Sequence, residues 1–177
     1  MFLSFNKVSN LKTVRAGVIP YSIINNSLYF LLGVDTKTGE LTDFGGGVKY
    51  NESSIDGAMR EFEEETYRCL ARKHYDVRSD ELQQSKILSD KEKMTIIFMK
   101  IDPEWFNKAS DNFFHNKQYS NLRYHEISKI IWVHENKFRK LINGYNDKNI
   151  MWSKIQNFLC KNNNDAFYEN LKNPIKI

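Results

Sequence analysis

The stretch from Gly46 to Thr66 reads GGVKYNESSIDGAMREFEEET, and it decides most of what the sequence predicts. It begins with glycines and continues into a run in which side chains suited to a core recur every three or four residues. These residues are Ile55, Ala58, Met59, Phe62, Thr66, Cys69 and Leu70. This spacing is typical of a helix with one buried face. The pattern predicts a glycine-rich loop and then a helix from Asn51 to about Lys73, capped by Asn51 or Ser53.

Three glutamates are expected on one side of this helix. At about 100° per residue, Glu61, Glu64 and Glu65 fall within one sector beside the apolar face, while Glu63 points away. Such carboxylates repel one another but suit hard divalent cations, which prefer oxygen ligands and bridge carboxylate to phosphate. A solvated acidic face is the alternative, and the helix alone does not decide between them. The glycines just upstream favour the cation site, because backbone without side chains can approach a metal or phosphate closely.

The same stretch resembles the Nudix box. Gly46, Glu52 and the run from Arg60 to Glu65 stand at the spacings of that family. Two expected positions differ, since Tyr67 replaces a glycine and Arg68 replaces an aliphatic residue. These positions usually end the helix, so the difference affects where the helix stops and removes no metal ligand.

The resemblance, which spans about residues 13 to 142, implies a magnesium site. Glu61 and Glu65 would be the main ligands, with Glu64 and the carbonyl of Gly45 contributing. Manganese could replace magnesium at such a site. The expected fold is α+β, a Nudix-type α/β/α sandwich with a mixed β-sheet.

The resemblance also implies supporting roles. Arg60 and Glu52 would form a salt bridge that fixes the loop against the helix, and Gly46 would be structural as well. A further acidic residue often completes such sites, and Glu126 is the candidate. It opens the segment EISKIIWV, which looks like the family's late strand, although a surface role at a strand edge is equally open.

The expected reaction is attack of water on a diphosphate. Magnesium neutralises the phosphate oxygens and lowers the pKa of a bound water, and Glu64, Glu65 or Glu126 would accept the proton. Arg15 is a candidate contact to substrate phosphate, with a plain surface role favoured over it. Phe44 is a candidate for stacking on a base, with a core role at least as favoured.

The rest of the chain predicts strands before and after this helix, and helices at the end. A turn at Asn25-Asn26 would join the first two strands, and residues 102 to 122 would be a loop or a short helix. The expected strands are 15–24, 27–34, a short one ending at 43–44, 85–88, 94–101 and 126–133, and the later helices are 136–142, 149–160 and 166–171. We expect one domain over residues 1–177, with a core at about 13–142 and a helical extension at about 145–177.

Composition is ordinary for a soluble protein, with 41% apolar and 27% charged residues. No apolar run approaches the roughly 20 residues of a membrane span, and the first residues lack the order of a secretory signal. Cys69 and Cys160 lie far apart without a metal or redox spacing, so both are expected to be reduced. These features predict a cytoplasmic protein that does not bind membranes.

The formal net charge of +4 lies entirely in residues 101–177, which hold 12 basic and 8 acidic side chains. A lysine-rich solvated surface is the favoured explanation, and a surface for RNA is the alternative. Three functions remain open. The first is a pyrophosphohydrolase for a nucleoside diphosphate derivative, and the second is an mRNA-decapping enzyme that releases m7GDP from capped RNA. The third is a non-catalytic module that binds a nucleotide or protein, which the complete set of carboxylates disfavours.

Overall fold

The computed structural model describes residues 11–70, 85–90, 93–120, 125–144 and 150–173, which contain seven strands and five helices. The strands are β1 (Arg15–Ile24), β2 (Ser27–Asp35), β3 (Leu41–Thr42), β4 (Phe44–Gly47), β5 (Lys86–Asp90), β6 (Met94–Lys100) and β7 (Ile127–His134). The helices are α1 (Ser54–Glu65), α2 (Trp105–Gln118), α3 (Glu135–Ile142), α4 (Ser153–Cys160) and α5 (Asp165–Lys172). None of the described helices is long and apolar enough to cross a membrane.

The strands form one mixed sheet with β1 at its centre. β1 pairs parallel with β6, and β6 pairs antiparallel with β5. On its other edge β1 pairs antiparallel with β2, which pairs antiparallel with β7. The turn between β1 and β2 places Asn25 and Asn26 at φ of 48° and 61°, the left-handed conformation that suits a twisted hairpin.

Two short strands, β3 and β4, pair with the parts of β1 and β2 that do not pair with each other. β3 pairs with Gly33 and Val34 of β2, while β4 pairs with residues 15–18 of β1. The glycines expected in a loop therefore begin in a strand, with Gly45 opposite Gly17. This pairing brings the glycines of β4 beside the start of β1.

Helices cover both faces of the sheet, which confirms the expected α/β/α sandwich. On one face α1 and α2 pack against alternate residues of β1 such as Ala16 and Val18. On the other face α3, α4 and α5 pack against residues such as Ile19 and Tyr21. The described part of the C-terminal extension thus covers the second face of the sheet.

Helix α1 is shorter than the pattern predicted. Ser53 caps its start by accepting a 3.1 Å hydrogen bond from the backbone N–H of Asp56. The helix ends at Glu65, and Tyr67 and Arg68 follow with φ of 51° and 54°. A left-handed backbone costs a non-glycine residue about 1–2 kcal/mol, and it stops the helix. The prediction was wrong for residues 66–70, and its last residues, 71–73, lie outside the described ranges.

The region expected to be a loop or short helix contains α2, which has 14 residues. Its buried residues are Ala109 and Phe113, one turn apart. A stripe this narrow gives a weak helical signal in the sequence. Helix α2 nevertheless matters for the candidate site, because it packs beside the end of α1.

Candidate active site

The end of α1 faces the glycines of β4. The carboxylate of Glu65 accepts a 2.8 Å hydrogen bond from the backbone N–H of Gly45. A Cβ atom on Gly46 would lie 2.5 Å from Cδ of Glu61, so any side chain there would displace that carboxylate. Two of the expected metal ligands therefore lie directly against the glycine backbone.

Arg60 joins the loop before α1 to this cluster. Its Nε donates to Oε1 of Glu52 at 2.7 Å, and its Nη1 donates to Oε1 of Glu61 at 2.6 Å. Its Nη2 also donates to the carbonyl of Gly47 at 3.0 Å. The hydrogen bond from Arg60, helped by the backbone N–H of Lys49, lowers the pKa of Glu52 to about 2. The salt bridge expected between Arg60 and Glu52 is present.

A second ion pair lies beneath the glycines. Arg15 donates from Nη1 and Nη2 to the two carboxylate oxygens of Asp43, at 2.8 and 2.7 Å. Its Nη2 also donates to the carbonyl of Gly45 at 2.9 Å. Burial disfavours the charge of Arg15, but Asp43 outweighs this effect and the pKa of the guanidinium is raised. Asp43 is fully buried and Arg15 is partly buried, with 14% of its side chain exposed, so the pair holds the backbone of β4 through an interior carboxylate.

Two glycines make room for Asp43. A Cβ atom on Gly17 would lie 2.0 Å from Oδ2 of Asp43, and one on Gly45 would lie 2.9 Å from the same atom. Trp152 covers the pair from outside, with its ring 5.0 Å from Cζ of Arg15. The backbone N–H of Trp152 donates to the carbonyl of Leu41 at 2.8 Å, which holds the tryptophan at this place. The C-terminal extension therefore contacts the candidate site.

Glu65 is the most deeply placed carboxylate of the helix. Burial raises its pKa to about 9, and the charges of Asp43 and Glu126 act in the same direction. The hydrogen bond from Gly45 and the charge of Arg15 oppose the rise. Negative charge thus accumulates around the end of α1.

Glu126, 61 residues after Glu65 in the sequence, comes near the end of α1 because the residue before it, His125, contacts Tyr67. Its side chain is exposed, and it immediately precedes β7 where the pairing with β2 shifts register between Val34 and Asp35. Its charge acts on Glu65 and on Tyr67. The structure therefore brings Glu126 into the neighbourhood of the box, while its catalytic role stays a prediction.

Phe44 and Arg15 have partners within the protein. Phe44 is fully buried, and its ring packs against Phe62 with centroids 5.8 Å apart. The ring of Phe44 therefore has the core role and presents no surface to a base. Arg15 is not a plain surface residue, since its hydrogen bonds go to Asp43 and Gly45; contact with substrate stays a prediction.

The donor groups fit a hard divalent cation in chemistry. Carboxylates of Glu61, Glu64 and Glu65 and the carbonyl of Gly45 offer oxygen atoms, which such cations prefer. Within the described ranges, no three His, Cys, Asp or Glu side chains converge closely enough to hold a metal as they stand. Arg60 engages two of the carboxylates, with Nη1 2.6 Å from Glu61 and 3.6 Å from Glu64. Cation binding would therefore require these side chains to turn from Arg60.

Sequence reasoning missed Asp43, Trp152 and the pair formed by Tyr67 and His125. Tyr67 Oη and His125 Nδ1 lie 2.6 Å apart, and burial raises the pKa of Tyr67 to about 12. A tyrosine at position 67, where the family pattern has glycine, was the sequence feature that could have drawn attention to the Tyr67–His125 pair. Asp43 next to the glycines was a weaker one, and nothing in the sequence pointed to Trp152.

No protein-family model matches the sequence, and no curated protein sequence is significantly similar to it. Solved structures resemble its fold. An Ap4A hydrolase from C. elegans in a binary complex aligns with a TM-score of 0.50 and 16% identity, over 88% of this chain and 97% of that one. A mutT/nudix family protein from Listeria innocua aligns with a TM-score of 0.48 and 14% identity, over 90% of this chain and 98% of that one. The first alignment, together with the sheet and its helices, shows that the chain shares the fold of this Ap4A hydrolase.

Proposed function

We propose that this chain is a magnesium-dependent pyrophosphohydrolase that cleaves the diphosphate linkage of a nucleoside diphosphate derivative. One observation carries the proposal: Glu61 and Glu65 of α1 lie against the glycines of β4, at Nudix-box spacing and within the Nudix fold. A solvated acidic helix face would not need this contact. Glu65 in particular is only partly exposed and accepts a hydrogen bond from the backbone N–H of Gly45, which a solvated surface glutamate would not do.

The residues that would hold the cation are Glu61, Glu64, Glu65 and the carbonyl of Gly45. That carbonyl already accepts one hydrogen bond from Arg15, which leaves one lone pair for a ligand. A bound magnesium ion supplies charge neutralisation at the phosphate oxygens and makes water easier to deprotonate. Manganese has similar ligand preferences and is expected to substitute.

The chain offers three groups to accept the proton of the attacking water. Glu64 is half-exposed, with 56% of its side chain in contact with solvent. Glu65 accepts a hydrogen bond from the backbone N–H of Gly45, and the side chain of Glu126 is exposed. All three remain candidates for the general base.

The test is a product screen with magnesium or manganese. The substrates are Ap4A, nucleoside triphosphates, nucleotide sugars and capped RNA, with chelator in parallel reactions. Ap4A is included because a protein of the same fold is an Ap4A hydrolase. Release of a nucleoside monophosphate supports the proposal, and m7GDP from capped RNA would assign the decapping function instead. Nucleotide binding without product at high protein concentration would identify a binding module and reject the enzyme.

A matched pair of variants tests the site. Glu65→Gln should lower kcat on the order of a hundredfold, because it removes the charge of a proposed ligand or base. Glu63→Gln changes the same residue type in the same helix, but Glu63 pairs with Arg68 at 3.1 Å, away from β4. Its kcat should stay within about twofold of that of the unchanged protein, because surface substitutions have small effects. Equal activity of both variants would disprove the assignment.

A further inference from the structure

Tyr67 occupies a backbone position that glycine adopts more readily. Its φ is 51°, in the left-handed region where a Cβ atom is unfavourable. The side chain is nevertheless buried, and its ring packs edge-on against Phe113 of α2 with centroids 5.2 Å apart. A large side chain at such a position makes contacts that glycine cannot provide.

The most specific of these contacts is with His125. Tyr67 Oη and His125 Nδ1 lie 2.6 Å apart, and their ring centroids are 5.4 Å apart. Asn116 of α2 fixes the other end of Tyr67, since its Nδ2 donates to the tyrosine carbonyl at 2.9 Å. The ring therefore connects the end of α1 with the segment that leads into β7.

His125 directly precedes Glu126, and the backbone of both residues is fastened to Thr36. The hydroxyl of Thr36 donates to the carbonyl of His125 at 2.7 Å, and its N–H donates to the carbonyl of Glu126 at 2.8 Å. The change of register between β2 and β7 occurs at this point. Such irregularities turn side chains away from their regular direction and are frequent beside active sites.

Tyr67 lies between two segments that each carry a glutamate. Tyr67 follows Glu65 by two residues, and its hydroxyl contacts His125, which directly precedes Glu126. Burial raises the pKa of Tyr67, and the charges of Glu65 and Glu126 act in the same direction. Tyr67 thus stands in one neighbourhood with two carboxylates that come from distant parts of the chain. Glu126 itself is exposed, so its direction depends on the segment that carries it.

We infer that Tyr67 is a positioning residue, which acts through His125 to hold Glu126 towards Glu65. The inference rests on the proposed function, because it assigns Glu126 a part in hydrolysis. It gives the tyrosine that replaces the expected glycine a purpose in this chain. The hydrogen bond between Tyr67 and His125 carries the effect.

The first experiment compares Tyr67→Phe with Tyr119→Phe. Tyr67→Phe removes the hydroxyl and keeps the ring against Phe113. Tyr119 also stands beside a histidine, with its ring centroid 5.0 Å from that of His115, but its side chain is exposed and this histidine is not the one that precedes Glu126. Tyr67→Phe should lower kcat on the order of tenfold with little change in KM, because a small misplacement of a catalytic group is costly. Tyr119→Phe should leave both constants unchanged.

A second background separates positioning from simple destabilisation. In a Glu126→Gln protein, Tyr67→Phe should cause no further loss of kcat, because the group it positions is already removed. Its effect on the thermal midpoint should be the same in both backgrounds. An equal fold-loss of kcat in both backgrounds, or no loss in either, would overturn the inference.

A crystal structure of Tyr67→Phe distinguishes failure of the inference from failure of the proposed function. The inference requires the Glu126 carboxylate to move relative to Glu65 when the hydroxyl is removed. An unmoved carboxylate rejects the inference whether or not the protein hydrolyses a diphosphate. If the unchanged protein yields no product from any substrate, the proposed function fails, and a carboxylate that moves still supports the structural part of the inference.

Discussion

Arg15 and Arg60 each bind one carboxylate and one backbone carbonyl oxygen of strand β4, but the two carboxylates differ in their burial. Arg15 binds Asp43, whose side chain has 0% exposure, and the carbonyl of Gly45. Arg60 binds Glu52, whose side chain keeps 19% exposure, and the carbonyl of Gly47. The two arginine side chains are similarly exposed, at 14% and 20%, so the difference lies in their partners: Arg15 supports the strand through a fully buried carboxylate and Arg60 through a partly exposed one.

The two arginines also differ in their relation to the proposed ligands. Arg60 contacts Glu61 directly and lies 3.6 Å from Glu64, so a cation that binds there competes with it. Arg15 contacts Asp43 and leaves Glu65 to the backbone N–H of Gly45. Arg15 thus holds the backbone of β4, whereas Arg60 holds the carboxylates that the proposed cation would take.

The largest expected effect is that of Asp43→Asn. The substitution removes the charge of the fully buried Asp43 and leaves the partly buried Arg15 without its counter-charge. Removing one partner of a buried pair typically costs about 3–5 kcal/mol. The free energy of unfolding from urea titration should fall by at least the lower part of this range. Activity should fall as well, since the carbonyl of Gly45 depends on Arg15.

The control for this variant is Asp165→Asn. Asp165 also accepts a 2.8 Å hydrogen bond from an arginine, Arg139, but its side chain is almost fully exposed. Its urea midpoint should equal that of the unchanged protein, because exposed ion pairs contribute little. A similar urea midpoint for Asp43→Asn would mean that the burial of Asp43 does not make its ion pair with Arg15 more stabilising than the exposed pair of Asp165 with Arg139.

A smaller effect is expected for Gly17→Ala. The added Cβ would lie 2.0 Å from Oδ2 of Asp43 and 2.8 Å from the carbonyl oxygen of Phe44, so the buried pair has to shift. Overpacking of this kind costs about 1–3 kcal/mol. Gly47→Ala is the matched control, because a Cβ there meets no atom within 4 Å and Gly47 lies in the same strand pairing.

The outcome of this pair concerns the glycines themselves. A loss of stability for Gly17→Ala alone would show that the glycine of β1 exists to admit Asp43. Equal stability of both variants would mean that the Asp43 pocket tolerates a methyl group. The interior pair would then be less rigid than its contacts indicate.

The part of the site that follows local spacing was predictable from the sequence. Glu52 and Arg60 are eight residues apart, and helix geometry groups Glu61, Glu64 and Glu65 without any tertiary information. The end of α1 was not predictable in this way, because the pattern of apolar residues continues through Cys69. The left-handed backbone of Tyr67 depends on contacts with α2 and His125, which are distant in sequence.

The ion pair between Arg15 and Asp43 could not be predicted, because it depends on how the strands pair. Arg15 meets Asp43 because β4 pairs with the start of β1, whereas the sequence suggested only a loop of glycines. An aspartate beside glycines is also common in turns, so composition could not identify a buried acid. Helix α2 was underestimated for a related reason, since a helix that buries only Ala109 and Phe113 has little periodicity to detect.

The smallest effect is expected for Glu52→Gln, and its pH dependence sharpens the comparison. The pKa of Glu52 is lowered to about 2 by its hydrogen bond with Arg60, from an unfolded value of about 4.3. A lowered pKa means that the stabilisation is fully present above the unfolded value and disappears as the pH falls towards 2. At pH 7 the partly exposed pair should contribute about 0.5–1 kcal/mol.

The difference in thermal midpoint between Glu52→Gln and the unchanged protein should therefore be constant from pH 7 to 5 and shrink below pH 4. A loss of stability as large as that of Asp43→Asn would mean that the ion pair of Arg60 stabilises the protein as much as that of Arg15, and the proposed difference between the two arginines would be wrong.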